Sequence, residues 1–224
     1  MFTAKFIRNI FFNGTRLRAI GRSGCPTRVF AEQGELDGSC AVYSLLMMLI
    51  FHQKLDWEDL IDRERAKENN FVDRIQRLFL YSFKSLCRGG HVIDELSDQL
   101  NVCYGGNLSE VFTTIPGRFN SVSRKELHEK IRGQLDARQP VQLGFFRKSG
   151  LGHSVVAVAY RREKWNRLRL FCLDPGLRLP IMQLWNNIID LDYLSPDDET
   201  ETDINHYEAD EVCVNKILIM HNDH

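Results

Sequence analysis

The stretch that most constrains the fold of this chain is a polar, glycine-containing loop that leads directly into an almost wholly apolar segment. The loop ends in Gly38-Ser39-Cys40, and the sequence continues Ala-Val-Tyr-Ser-Leu-Leu-Met-Met-Leu-Ile. Apolar residues on nearly every face predict a helix from about Ser39 to His52 that is buried within a domain, because a surface helix keeps a polar face. The longest apolar run, Leu45–Phe51, is far too short to span a bilayer.

Cys40 lies at the junction between the loop and this helix. A cysteine in the first turn of a helix is close to the positive end of the helix dipole and to backbone N–H groups that have no partner within the helix. Both features stabilise the thiolate, which is the nucleophilic form of cysteine. Gln33 lies seven residues upstream, close enough for its amide to donate to whatever Cys40 attacks. Taken alone, Cys40 is better explained as a buried core cysteine, since free cysteines are among the most buried residues.

The length of the chain favours a single domain, 1–224. Its small net charge produces no strong electrostatic field. The 224 residues carry a formal net charge of −1, which argues against a nucleic-acid partner. The charge is unevenly distributed: residues 1–31 hold six basic and no acidic residues, whereas residues 190–211 hold ten acidic residues and no Lys or Arg. The simplest interpretation is a pair of solvated surface segments, and the acidic stretch 190–211 is predicted to be an exposed loop.

The cysteine pattern predicts no metal site and no disulfide framework. The six cysteines are widely spaced, with no Cys-x-x-Cys pair. There is also no His-Glu-x-x-His, Gly-x-Ser-x-Gly or Gly-x-Gly-x-x-Gly motif, so no metal or other cofactor is predicted. No apolar secretory signal is evident near residue 1, and we therefore expect a cytoplasmic protein, or one exported without a classical signal peptide.

Helical patterns precede strand patterns along the chain. Apolar residues at helical spacing occupy 56–101, and Ser123-Arg-Lys-Glu126 resembles a capping box that starts a helix ending near Arg138-Gln139, before Pro140. Strand patterns follow at Val141–Phe146, His153–Arg161, Arg167–Asp174 and Glu211–Met220. This order predicts an α+β fold with a mostly antiparallel sheet. Residues 1–30 fit either short strands or a helix.

His153 and Asp174 are predicted to lie side by side at the open end of a hairpin. His153 begins the most apolar strand pattern, and Asp174 ends the next one, before Pro175-Gly176. A hairpin centred between Glu163 and Lys164 makes the two residues direct partners, with Cβ atoms ~4.5–5.5 Å apart. A longer loop centred on Trp165-Asn166 would separate them. A histidine held by a carboxylate is the orienting half of a nucleophilic triad.

Together these features resemble the papain-like cysteine peptidases, and among them the bacteriocin-processing, double-glycine group in a stand-alone form. The resemblance covers about residues 30–180. It is carried by Gln33, Cys40 at the start of a buried helix, Pro140-Val-Gln-Leu, Gly152-His153 before an apolar strand, and Leu173-Asp174-Pro-Gly. It implies a papain-like fold with a catalytic core over about 30–180. The helical insert over about 56–101 is a departure, since it is longer than expected for the family.

The resemblance also implies roles for four residues in hydrolysis of a peptide or protein substrate. Cys40 would be the nucleophile, His153 the general base, Asp174 the residue that orients the histidine, and Gln33 the oxyanion donor. Here the nucleophile lies in Ser39-Cys40-Ala41, whereas the family usually has Asp-Cys-Gly, and Gln33 is one residue farther from the cysteine than is usual. Asp37 or the Ser39 hydroxyl is therefore an alternative occupant of the space expected for Gln33, and the Ser39 hydroxyl is the alternative oxyanion donor.

Two other functions use the same residues. Glutamine deamidases and transglutaminases also form a thioester on cysteine, with a glutamine side chain as the acyl donor. A papain-like domain could also be a binding module or effector with weak or lost hydrolysis. The altered neighbours of Cys40 are the feature that favours this alternative. The sequence does not distinguish these functions from a peptidase.

Overall fold

The computed structural model describes residues 4–30, 32, 39–62, 64, 70–77, 93–104, 109–113, 121–147, 152–163, 167–191, 205–207 and 210–220. The helices are α1 (Cys40–Phe51), α2 (Trp57–Ile61), α3 (Asn70–Gln76), α4 (Ile93–Tyr104) and α5 (Ser121–Asp136). The strands are β1 (Lys5–Phe6), β2 (Ile10–Asn13), β3 (Arg16–Ile20), β4 (Pro26–Arg28), β5 (Ser109–Thr113), β6 (Val141–Arg147), β7 (Gly152–Arg162), β8 (Leu168–Leu173), β9 (Asn187–Leu191), β10 (Asn205–Tyr207) and β11 (Asp210–Met220).

Helix α1 is the centre of the hydrophobic core, as its composition predicts. Every residue of α1 except Tyr43 is buried. The helix contacts β6 and β7 on one side and β3 and α4 on others. A helix surrounded in this way has no need of a polar face, which explains why the apolar residues of α1 show almost no periodicity.

The larger sheet is antiparallel in every strand pairing of the described residues. Its order is β1-β7-β6-β11-β10-β9-β8, and β5 also pairs with β11. Strands β7 and β8 also pair with each other. The strands from β7 through β6, β11, β10 and β9 to β8 therefore form a closed ring. With the helices packed against it, the sheet gives the predicted α+β class, and strands β6, β7, β8 and β11 lie where the sequence predicts strands.

A second, smaller sheet settles the question that the sequence left open for the N-terminal region. Strands β2, β3 and β4 form an antiparallel meander rather than a helix. The first turn contains Gly14, whose φ of 65° is a conformation that glycine adopts readily. Leu17 and Ala19 on one face of this sheet are buried and belong to the core.

Two boundaries differ from the prediction. Helix α5 begins at Ser121, two residues before the expected capping box, so Ser123 lies inside the helix and the capping-box prediction was wrong. The stretch predicted as an acidic loop, 190–211, has strand residues at both ends, from β9, β10 and β11. An acidic residue is accommodated in β9 because Asp190 is paired with Arg169 on β8 at 2.6 Å. Residues 192–204 are outside the described part of the chain.

The hairpin of β7 and β8 has a different register from the predicted one. A turn centred on Glu163-Lys164 would make His153 and Asp174 direct partners, but Leu173 pairs with Val156. Continuing that register by one residue places Asp174 opposite residue 155, two positions away from His153. The two residues are therefore diagonal neighbours, on the same face but with Cα atoms ~7–8 Å apart.

The predicted register was wrong for two local reasons. The loop is longer than expected, and it is closed by a hydrogen bond from the backbone N–H of Glu163 to the carbonyl oxygen of Arg167 at 2.9 Å. In addition, the pairing shifts between Ala157 and Ala159, which is an irregularity of the bulge type. Neither feature has a distinctive residue signal, because many sequences tolerate a bulge.

Candidate active site

Cys40 is the first residue of α1 and is 8% exposed. Ser39 is the N-cap residue, but its side chain makes no capping hydrogen bond. The Ser39 carbonyl accepts the first helical hydrogen bond, from the N–H of Tyr43 at 3.0 Å. The backbone N–H groups of the first turn therefore have no partner within the helix and point past Cys40, where they favour negative charge.

A buried polar network fastens this first turn to the sheet. The Gln142 amide on β6 donates to the Ala41 carbonyl at 2.9 Å and to the Ser154 hydroxyl at 3.0 Å. One turn along α1, the Ser44 hydroxyl donates to the Ser154 carbonyl at 3.1 Å. The residues after Cys40 are thus held against the strand position directly after His153, which fixes how the nucleophile and the histidine approach each other.

His153 and Asp174 form a direct hydrogen bond in spite of the register error. The distance from His153 Nε2 to Asp174 Oδ1 is 2.8 Å, and the side chains are 12% and 0% exposed. The contact between the two side chains was predicted correctly from the sequence, although the strand register was not. A diagonal pair can reach this distance because His153 is long enough to span the gap between the two strands.

Asp174 is held by neighbours that supply a donor to each of its carboxylate oxygens. The backbone N–H of Gly176 donates to Oδ1 at 2.8 Å, and the side-chain amide of Asn187 donates to Oδ2 at 2.9 Å. Asn186 fastens the backbone, since its side chain accepts from the Asp174 N–H at 2.7 Å and donates to the Asp174 carbonyl at 2.8 Å. A buried carboxylate with such donors stays charged and cannot rotate freely.

The pKa of His153 is raised to about 9. Burial of the ring acts in the opposite direction and is the largest single influence, but it is outweighed by hydrogen bonds to Asp174 and to Cys40 and by the charges of both groups. Since Asp174 takes Nε2, Nδ1 is the ring nitrogen left for Cys40. The Phe145 ring packs edge-on against the imidazole, with centroids 5.5 Å apart, and limits its rotation. At neutral pH the histidine is therefore a cation that hydrogen-bonds to the Asp174 carboxylate and to the Cys40 side chain.

The turn after β8 leaves no spare room beside this pair. A Cβ atom added to Gly176 would lie 3.2 Å from Asp174 Oδ1 and 3.3 Å from His153 Cε1. Glycine allows the backbone to approach the histidine and the carboxylate closely enough for its N–H to donate.

Three of the four predicted site residues come together in this way: Cys40, His153 and Asp174. Gln33 and Asp37, which is one alternative occupant of its place, lie outside the described residues. The other alternative, the Ser39 hydroxyl, is buried and has no hydrogen-bond partner in the part of the chain that the structure describes.

The residues that support this site were not predicted from the sequence. Gln142 was noticed only as part of Pro140-Val-Gln-Leu, and Asn186 and Asn187 were not singled out at all. A polar residue in an otherwise apolar strand was the available signal for Gln142. The two asparagines are brought to Asp174 by the pairing of β8 with β9, which the sequence did not reveal.

Other features of the structure are less suited to chemistry. A cavity of about 440 Å³, lined in part by Lys54, Phe71 and Arg74, lies beyond the last turn of α1. Because a helix of this length spans ~18 Å, the cavity is well separated from Cys40. Among the described residues, no His, Cys, Asp and Glu side chains are grouped as three or more potential metal ligands.

Comparison with models of known protein families gives no match for this chain, and no curated protein matches it significantly. Within the described parts of the chain, we also find no helix with the length and apolar character needed to cross a membrane.

Proposed function

We propose that this protein is a papain-like cysteine peptidase that hydrolyses a peptide or protein substrate through a thioester on Cys40. The observation that carries the proposal is the hydrogen-bonded series from Cys40 through His153 to Asp174, with Nε2 and Oδ1 2.8 Å apart. A nucleophile at the start of a buried helix, facing a histidine and a carboxylate on neighbouring strands, supports the papain-like fold. The free thiols of the described cysteines are consistent with a reducing compartment such as the cytoplasm.

In the proposed acylation step, the Cys40 thiolate attacks the carbonyl carbon of the substrate. The C–S bond forms, and the carbonyl electron pair moves to oxygen. The backbone N–H of Cys40 at the N-terminus of α1 is one donor for this oxyanion, and Gln33 is the second donor that the family resemblance implies. The imidazolium of His153 then donates its Nδ1 proton to the leaving nitrogen, and the C–N bond breaks.

In the proposed deacylation step, neutral His153 accepts a proton from water while the water oxygen attacks the thioester carbon. The C–S bond breaks, a carboxylic acid leaves, and the thiolate–imidazolium pair is restored. Asp174 remains ionised throughout. Its role is to hold Nε2 protonated and to stabilise the imidazolium, so that Nδ1 faces the sulfur in both steps.

The first test compares two cysteines within the same protein. Cys40 is buried, whereas Cys25 is exposed. If His153 supports a thiolate, iodoacetamide at a pH of about 5.5 should label Cys40 faster than Cys25, although Cys25 is more accessible. Peptide mapping by mass spectrometry measures both rates at once. Preferential labelling of Cys25 would argue against an activated nucleophile.

The second test identifies the reaction. Wild-type protein and the Cys40→Ala variant are incubated with a mixture of denatured proteins, and the products are analysed by mass spectrometry. We expect new chain termini with the wild-type protein only, and the Cys25→Ala variant should behave like wild type. A mass gain of about one dalton at glutamine would indicate a deamidase, and crosslinks to amines a transglutaminase. Cleavage that persists in Cys40→Ala would refute the catalytic assignment.

A further inference from the structure

The outward face of the small N-terminal sheet carries three arginines side by side. Arg18 on β3 pairs directly with Arg28 on β4, and Arg16 lies two residues before Arg18 on the same face of β3. Phe11 on β2 is the cross-strand partner of Arg18 on its other side. We call Arg16, Arg18 and Arg28 the arginine face.

The orientation of this face is fixed by the residues that alternate with it. Leu17 and Ala19 on β3 and Thr27 on β4 are at most 3% exposed. They form the inner face of the sheet, which packs toward α1 and α2. Because successive residues of a strand point to opposite sides, the three arginines point away from the core.

No carboxylate pairs with any of the three guanidinium groups in the described structure. By contrast, Arg22 is bound at two positions by Asp59, and Arg169 is bound at two positions by Asp190. Like charges directly opposite each other on a sheet are destabilising. The repulsion between these charges therefore costs folding free energy, and no ion pair offsets it among the described residues.

Two details show that Arg18 is incompletely satisfied and that Arg28 is held in position. The Nε of Arg18 is buried without a hydrogen-bond partner among the described residues. Arg28 lies over the Trp57 ring, 4.4 Å from its centroid, and donates through Nε to the Phe30 carbonyl. The pKa of Arg28 is lowered, first by burial and then by the positive charge of Arg16; Arg18 adds to this effect, and Glu32 opposes it.

We propose that the arginine face is a docking surface for an acidic segment of another protein. Guanidinium groups bind carboxylates through paired N–H donors. Arginines at positions i and i+2 of a strand are ~7 Å apart, which is also the spacing of alternate side chains in an extended peptide. Such a peptide with acidic residues at every second position would place successive carboxylates over Arg16 and Arg18, while Arg28 would reach the same carboxylates from β4.

An acidic peptide fits better than a nucleic acid, which is the other polyanion that arginines bind. Nucleic-acid binding rests on a long-range positive field and on many phosphate contacts. This chain has a formal net charge of −1, with ten acidic residues concentrated in 190–211. The arginine face is thus a local feature of a chain whose net charge supplies no long-range attraction for a polyphosphate backbone. It does not depend on the catalytic proposal, since none of its residues belongs to the candidate active site.

The test measures binding of a fluorescently labelled deca-glutamate peptide by anisotropy. At ~10 mM salt the Debye length is ~30 Å, so that weak charge-driven binding is detectable. We expect the Arg16→Gln/Arg18→Gln/Arg28→Gln variant to bind at least about tenfold more weakly than the wild-type protein. A matched variant, Arg8→Gln/Arg132→Gln/Arg162→Gln, removes the same charge elsewhere and should lose less than about twofold.

Other outcomes would overturn the proposal. Equal losses in the two triple variants would mean that only net charge matters, and no binding by the wild-type protein would remove the docking surface altogether. Tighter binding of a labelled deca-thymidine oligonucleotide, with the same sensitivity to the arginine face, would indicate a nucleic-acid site instead. If the first triple variant fails to fold because Arg18 is partly buried, the exposed pair Arg16→Gln/Arg28→Gln answers the same question.

Discussion

The carboxylate of Asp174 and the arginine face are two charged regions that the fold treats in opposite ways. Asp174 is completely buried, and each of its oxygens accepts a hydrogen bond from a neighbouring donor, one of which is His153. Arg16, Arg18 and Arg28 lie next to one another without a carboxylate partner in the described structure. One region is satisfied by its own neighbours, whereas the other has no carboxylate partner among the described residues.

The difference shows that burial determines whether a charged side chain must be paired within the protein or can remain available to a ligand. A buried carboxylate must be satisfied internally, because an unpaired charge in the core would cost several kcal/mol. It then becomes a rigid support that can fix the tautomer of a histidine. An exposed guanidinium is solvated by water and needs no internal partner, so it remains available for a ligand. The following predictions test this contrast, from the largest expected effect to the smallest.

Replacing Asp174 with asparagine should have the largest effect. The side chain keeps its shape, but it loses its charge and can present an N–H to His153, which favours the wrong tautomer. We expect turnover to fall by ~10³–10⁴ with little change in substrate affinity. Steady-state kinetics on the substrate found by mass spectrometry measures both. Turnover within a factor of two of wild type would mean that Asp174 is only structural.

The pH dependence should show a loss of activity on the alkaline side. The pKa of His153 is raised from 6.5 to about 9 in the folded protein, so the imidazolium persists through neutral pH. Above a pH of about 9, turnover should fall roughly tenfold for each further pH unit, because the proton donor is lost. In Asp174→Asn the same decline should begin at a lower pH.

The same pKa gives a stability prediction whose sign is fixed. A histidine with a higher pKa in the folded state than in the unfolded state binds its proton more tightly when folded. Its stabilising contribution is complete below a pH of about 6.5 and is lost as the pH rises through about 9. Urea denaturation of the wild-type protein and of His153→Ala over this range should show the difference shrinking as pH rises. A constant difference would contradict the assignment of the raised pKa.

Replacing Asn187 with alanine should have an intermediate effect. Oδ2 of Asp174 would lose a buried donor, and a hydrogen bond to a charged group contributes about 1.5–3 kcal/mol. We expect a loss of stability of that size and a decrease of about tenfold in turnover at constant KM, since the carboxylate can then rotate. Urea denaturation and steady-state kinetics measure the two effects.

The isosteric variant Asn187→Asp is the control for this position. It keeps the volume of the side chain but brings a second carboxylate to Asp174 and should be less stable at neutral pH than Asn187→Ala. If both variants are as stable and as active as wild type, Asn187 has no positioning role.

Replacing Arg16 with glutamine should have the smallest effect on the fold. It removes one of three neighbouring like charges and breaks no ion pair, so the free energy of unfolding should change by no more than ~0.5 kcal/mol, with any change favouring the variant. The matched variant Arg169→Gln breaks the ion pair with Asp190 and should lose up to ~1 kcal/mol. Urea denaturation compares the two, and a larger loss for Arg16→Gln would show that the arginine face stabilises the fold.

The fold was predictable wherever a local pattern is strong. The apolar composition of 39–52 predicted α1, and the strand patterns predicted β6, β7, β8 and β11 at nearly their observed positions. Strands β5, β9 and β10 were missed because they are short, and the partner of β5, strand β11, lies far away in the sequence. The sequence shows that residues 1–31 include no acidic residue. Only the register of β3 and β4 places Arg18 opposite Arg28 and so forms the arginine face.

By itself the sequence determined which chemical groups are present and where the local elements begin: a cysteine at the start of a buried helix, a histidine at the start of a strand and an aspartate at the end of the next. The tertiary structure decided how these groups meet. Loop length and a bulge replaced the expected direct pairing of His153 and Asp174 by a diagonal one, and the pairing of β8 with β9 brought Asn187 to the carboxylate. The physical reason is that helix and strand periods are set by near neighbours, whereas register and the satisfaction of a buried charge depend on contacts between distant segments.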